Sequence, residues 1–169
     1  MTGTKAVGLH GTELWAYDAS LSLVLAQAVR LVEESSPDRR PAWWSGVDRE
    51  LRVHAVITEF HLDLDLGLDA GQREELAQLF DEAAELVRER GLFTADEAAV
   101  WPILDDTPVK FRGADPEPTA PAAELGHALA QLIRGTLPPP PTGTWWFYGA
   151  PGGRRTIGMR GYRQGPGHR

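Results

Sequence analysis

From Glu50 to Leu66 the chain reads ELRVHAVITEFHLDLDL and alternates with a period of two. Read as one extended strand, it puts Arg52, His54, Val56, Thr58, Phe60, Leu62, Leu64 and Leu66 on one face. Leu51, Val53, Ala55, Ile57, Glu59, His61, Asp63 and Asp65 fall on the other. The second face begins apolar and ends as a row of ionisable groups, while the Leu-rich face should bury against a helix. Thr12–Tyr17 (TELWAY) alternates more briefly and predicts a first strand.

Other segments carry the helical period. Asp18 or Ser20 can cap a helix with Leu21, Val24, Leu25, Ala28, Leu31 and Val32 on one face, ending near Ser35 ahead of Pro37. Asp69 and Gln72 form a capping pair before Leu76, Leu79, Phe80, Ala83, Leu86 and Val87, and Gly91 suits the C-terminal turn. Thr94 and Glu97 repeat that logic for a short helix stopped by Pro102. Pro121 suits the first turn of another helix, with Leu125, Ala128, Leu129, Leu132 and Ile133 buried and Gly135 at its end. Val109–Arg112 has the pattern of a short strand. Pro138–Pro141 is a stiff connector to a hairpin of Thr144–Tyr148 and Arg155–Arg160, joined by GAPGG. This order is not a steady β-α-β alternation. It predicts an α+β fold: a mainly antiparallel sheet with about three main helices packed on one face.

Length favours a single globular domain over residues 1–163, with a flexible tail over 164–169. No apolar run approaches the roughly 18–20 residues of a membrane span, and the start lacks a signal-peptide layout. There is no cysteine among the 169 residues, which excludes disulfides, thiolate metal sites and cysteine nucleophiles. The expectation is a cytoplasmic protein. The net charge is −7, but the last 17 residues hold five arginines and no acid, leaving 12 basic and 24 acidic residues in the rest. An acidic body repels phosphate backbones and suits a basic partner, so the partner expected is another protein, with no nucleic acid and no membrane.

The candidate chemistry is sparse. A His-x-Asp pair such as His61 and Asp63 can reach one metal ion from a strand, but no ligand motif supplies the remaining donors. Asp63, Asp65, Asp69 and Glu74 match four positions of a calcium-loop count, yet its obligatory glycine is replaced by Leu68. GAPGGRR lacks the phosphate-loop pattern and no helix follows it. Nucleophile elbows and zinc-protease helices are absent. A carboxylate pair drawn from Glu59, Asp63 and Asp65 could do acid–base work only behind a wall that raises one pKa. Trp43–Trp44 and Trp145–Trp146 are adjacent aromatic pairs near Arg39, Arg40 and Arg154, and an exposed tryptophan beside arginine is a typical interface anchor.

The sequence therefore points to a non-catalytic acidic protein that binds a partner, of the inhibitor, immunity or accessory type. The candidate binding residues are Glu59, His61, Asp63, Asp65, Trp43, Trp44, Trp145 and Arg154, with no metal and no cofactor assigned. The alternative is a small cytoplasmic enzyme or ligand-binding protein, of a biosynthetic kind, taking a small molecule in a polar and aromatic pocket on the sheet. Whether the row from Glu59 to Asp65 is walled in or open to water separates the two.

Overall fold

A tight hairpin begins the fold of this computed structural model, which describes residues 3–57 and 61–159. Strand β1 (Thr4–Leu9) pairs antiparallel with β2 (Thr12–Tyr17) across His10 and Gly11, whose φ values are 49° and 83°. Two central residues with positive φ make a primed turn, whose twist matches that of the flanking strands. Only the second strand is predicted from sequence; Lys5 and Gly8 dilute the β signal of the first.

Strand β2 runs straight into α1 (Asp18–Glu34), close to the predicted bounds. Two short 3-10 turns follow, and then α2 (Asp48–Val56). This helix overturns the long strand expected over Glu50–Leu66. The alternating apolar residues Leu51, Val53 and Ala55 also fit a helix in which Val47, Leu51 and Ala55 are buried at four-residue spacing. An ion pair at that same spacing, Arg52–Asp48 at 2.5 Å, and a His54–Glu50 contact at 3.1 Å support the helix and have no counterpart in a strand. Extended pairing is confined to β3 (Leu62–Asp63). From residue 61 to residue 65 the predicted alternation does hold: Leu62 and Leu64 are buried, while His61, Asp63 and Asp65 are exposed.

The second half follows the sequence signals closely. Helix α3 (Ala70–Arg90) starts on the Asp69–Gln72 capping box and ends at Gly91, with φ 73°. After β4 (Leu92–Phe93), the Thr94–Glu97 box starts α4 (Ala95–Ala99). Strands β5 (Pro102–Leu104) and β6 (Thr107–Pro108) pair with each other, so the short strand expected at Val109–Arg112 lies just before that position. Strand β7 (Glu117–Pro118) pairs with β4. Helix α5 (Ala120–Arg134) carries proline in its first turn and ends at Gly135. The final hairpin is β8 (Thr144–Tyr148) and β9 (Arg155–Gly158). The predicted end of that strand at Arg160, and the tail over 164–169, lie outside the described residues.

The main sheet has the order β3-β1-β2-β8-β9. Antiparallel pairs (β1–β2, β8–β9) are joined by parallel ones (β1–β3, β2–β8), so the α+β fold has a mixed sheet. One sheet face contributes Val7, Leu9, Leu14, Ala16, Leu62 and Tyr148 to a core shared with the buried faces of all five described helices. No described helix is long and apolar enough to cross a membrane.

Helices α3 and α5 pack closely at Gly126. A Cβ there would lie 2.7 Å from the Ala84 Cβ and 3.3 Å from the Ala84 Cα. Helix propensity would favour alanine by about 1 kcal/mol, but overpacking two rigid helices typically costs about 1–3 kcal/mol. Gly126→Ala is expected to lose stability, and Gly126→Val to lose more, in urea unfolding. A stabilised Gly126→Ala would refute this account of the contact.

Candidate functional site

Strand pairing determines what lies on the sheet face opposite the helices. Opposed residues share a face. The partners Gly8–Glu13, Ala6–Trp15 and Thr4–Tyr17 therefore lie together, joined by Phe147 opposite Trp15, Ile157 opposite Trp145, Arg155 opposite Phe147, and Asp63 opposite Gly8. Tyr17, Phe147 and Ala150 form a buried cluster separate from the main core, with Trp15, Ala19 and Ile157 packed on it. Of the described helices, only the first turn of α1 contributes to that cluster, through Ala19. The Trp15 and Trp145 rings meet at 5.8 Å with a tilt of 46°. The Arg155 guanidinium stands 4.8 Å over the Phe147 ring, a cation–π geometry. Trp15, Trp145 and Ile157 remain half-buried, while Glu13 and Arg155 are exposed.

At the β1–β2 turn the same face becomes acidic. Gly8 has no side chain, and His61 and Glu13 occupy the space above it: a Cβ at Gly8 would lie 3.0 Å from the His61 Cε1 and 3.2 Å from the Glu13 Cγ. His61 Nδ1 is 3.7 Å from Glu13 Oε1, and His10 Nε2 is 3.7 Å from Asp65 Oδ2. Asp63 Oδ1 accepts the Asp65 N–H at 2.8 Å. His61, Asp63 and Asp65 thus share one exposed edge, with no wall of described residues over them. Such solvated pairs are worth about 0–1 kcal/mol each and do not create an acid–base site. Among the described residues no group of three or more His, Asp or Glu side chains is arranged to hold a metal ion. Glu59 lies outside the described residues.

The other sequence candidates sit on the helix side of the sheet. Trp44 is buried in the main core; Trp43 packs on it edge-on at 6.1 Å and donates its indole N–H to Glu75 on α3. The Arg154 guanidinium stacks 4.5 Å over Trp146, and its backbone N–H donates to Glu124 Oε1 at 2.9 Å. Arg154 borders a recess of about 490 Å³ shared with Glu124, His127, Gln131 and Tyr148. There, burial pushes the Tyr148 hydroxyl pKa up against a hydrogen bond with Arg154. Of the predicted set, the outer face brings together His61, Asp63 and Trp145, with Asp65 at its corner, and leaves out Trp43, Trp44 and Arg154. Sequence reasoning missed Glu13, Trp15, Tyr17, Phe147 and Arg155. The alternation of TELWAY against TWWFY was the available signal, since it places Trp15 and Tyr17, and Trp145 and Phe147, each on one side of its strand.

No protein-family model matches this chain, and neither a curated protein nor a solved structure is similar to it.

The space above Gly8 provides a direct check on the acidic corner. In Gly8→Ala the new methyl meets only side chains that are themselves half-exposed, so His61 and Glu13 should swing away at a cost below about 1 kcal/mol. The His61 ring signals should shift in NMR while the melting temperature stays nearly constant. Unchanged His61 signals would contradict the stacking described.

Proposed function

We propose that this protein is a non-catalytic binding protein that docks another protein on the outer face of its sheet. The observation that carries this reading is the second aromatic cluster. Half-buried Trp15 and Trp145 lie over buried Tyr17 and Phe147 on the sheet face that the main core does not use, framed by exposed Glu13 and Asp63 on one side and Arg155 on the other. Interface centres are enriched in Trp, Tyr and Arg within a polar rim. The acidic body favours a partner that brings basic groups to Glu13 and Asp63. An inhibitor or accessory role accommodates all of these features. The small-enzyme reading has less support: His61 and Asp63, its polar groups, are exposed and have no described wall to exclude water.

A photo-crosslinking residue at Glu13 or Arg155, introduced in the producing cell, should capture a discrete polypeptide, whereas the same residue at exposed Glu82 on α3 should not. Arg155→Glu should then weaken the recovered complex about tenfold, the effect of losing one interface anchor of about 1.4 kcal/mol. Equal capture at Glu82, or an unaffected complex in Arg155→Glu, would overturn this reading.

A further inference from the structure

The last turn of α2 is held by a buried lysine, a residue type that is rarely buried unless its charge is paired. Lys5 on β1, only 3 % exposed, points its ammonium at that turn. It donates to the Ile57 carbonyl, to the His54 carbonyl at 3.4 Å, and to His54 Nδ1 at 3.0 Å. Because the ammonium has no lone pair, His54 must accept through Nδ1 and keep its proton on Nε2, which faces Glu50 Oε1 at 3.1 Å. Arg112 adds a second cation, donating to the Val56 carbonyl and to Asp18 Oδ2, each at 3.4 Å. Two cations thus satisfy the carbonyls that a helix leaves unpaired at its C-terminus.

We propose that the Lys5–His54 pair is an acid-sensitive latch that holds the last turn of α2 at neutral pH and releases it on acidification. The geometry requires the pair to carry one positive charge. A proton added to His54 Nδ1 would point at the Lys5 ammonium from 3.0 Å inside the protein, and the hydrogen bond between them would become a repulsion. The charged groups around the pair do not relieve it. Arg112 lies close by and is itself a cation, and His61, from the β3 side, disfavours a charge on His54. Glu50 favours that charge from solvent, and Asp18 supports Lys5 but is already engaged by Arg112 and the Gly3 N–H. Burial, followed by Lys5, holds the His54 pKa below its ordinary value, and burial holds Lys5 at about 8. A folded-state imidazole pKa below the unfolded one means that the opened state binds the proton more readily. The stability supplied by the latch is therefore complete above the ordinary imidazole pKa of about 6.5 and is lost as pH falls below it.

The latch can be tested on the protein alone and does not depend on the docking reading. Amide exchange is followed by mass spectrometry at pH 7.0 and pH 5.0, with rates corrected for the intrinsic effect of pH. Peptides covering residues 48–57 should exchange at least tenfold faster at pH 5.0, while peptides from α3 and α5 stay within twofold. His54→Gln and Lys5→Met should each shrink the step below threefold. In the unmodified protein, which needs no variant to fold, NMR titration should place the His54 imidazole below the ordinary range. A step that persists in full in His54→Gln, a wild-type step under twofold, or an ordinary His54 titration would each overturn the proposal.

Discussion

A helix buried on nearly every side dictates the placement of everything around it. Twelve of the residues of α1 are buried, and β2, α2, α3 and α5 all pack against it. Its apolar residues would accept many arrangements of those neighbours, because burial of hydrocarbon is non-directional. Its polar residues would not, because each needs a partner in a defined direction. Ser20 donates to the Gly149 carbonyl at 2.6 Å and ties α1 to the end of β8. Gly149 has a φ of 88°, and a Cβ there would lie 2.8 Å from the Ser20 Cβ, so close approach and backbone conformation both call for glycine. Asp18 collects the Gly3 N–H and Arg112, and Gln27 accepts from Arg90 at the end of α3. The buried polar groups of one helix thus fix the start of the sheet, its far hairpin and a second helix.

What the sequence revealed depended on whether local signals stood alone. Helices α3, α4 and α5 carry capping residues, glycines or prolines at their ends, and the structure follows those signals. Over Glu50–Val56 two periods coincide. Leu51, Val53 and Ala55 alternate, while Val47, Leu51 and Ala55 repeat every four, and only the second pattern agrees with the Asp48–Arg52 and Glu50–His54 pairs. The decision is completed by Lys5 and Arg112, which sit far away in sequence and satisfy carbonyls that an isolated nine-residue helix would leave open. The candidate site divides in the same way. The separation of His61, Asp63 and Asp65 from Leu62 and Leu64 is a property of the strand and was legible. The meeting of Trp15 with Trp145 depends on β2 lying beside β8, an order that no local pattern encodes.

The chain has fifteen arginines and two lysines, and the structure puts that imbalance to physical use. Arg30 and Arg90 each stand 4.8 Å from the Trp101 ring, Arg154 is 4.5 Å over Trp146, and Arg155 is 4.8 Å over Phe147. A planar, weakly hydrated guanidinium stacks on a ring and still presents its edge outward; an ammonium does this less well. Lys5 occupies the opposite kind of place. The Ile57 carbonyl, the His54 carbonyl and the His54 imidazole converge on one point, which suits a compact head with three rotatable donors.

The sensitivity of α2 to acid is local because the neighbouring helix pair is held by groups of the opposite sense. Arg134 on α5 meets Glu74 at 3.0 Å and Asp81 at 2.6 Å on α3. Hydrogen bonding to Arg134 lowers the Glu74 pKa; burial works against the Asp81 charge, but hydrogen bonds from Arg134 and His127 outweigh it and hold that carboxyl low as well. A carboxylate with a depressed folded pKa contributes stability that is present above its unfolded value of about 4 and is lost only as pH falls through the folded one. These carboxylates therefore stay charged, and still paired with Arg134, across the window in which His54 begins to take up a proton. Mild acid acts on the α2 end of the molecule and leaves the α3–α5 clamp intact.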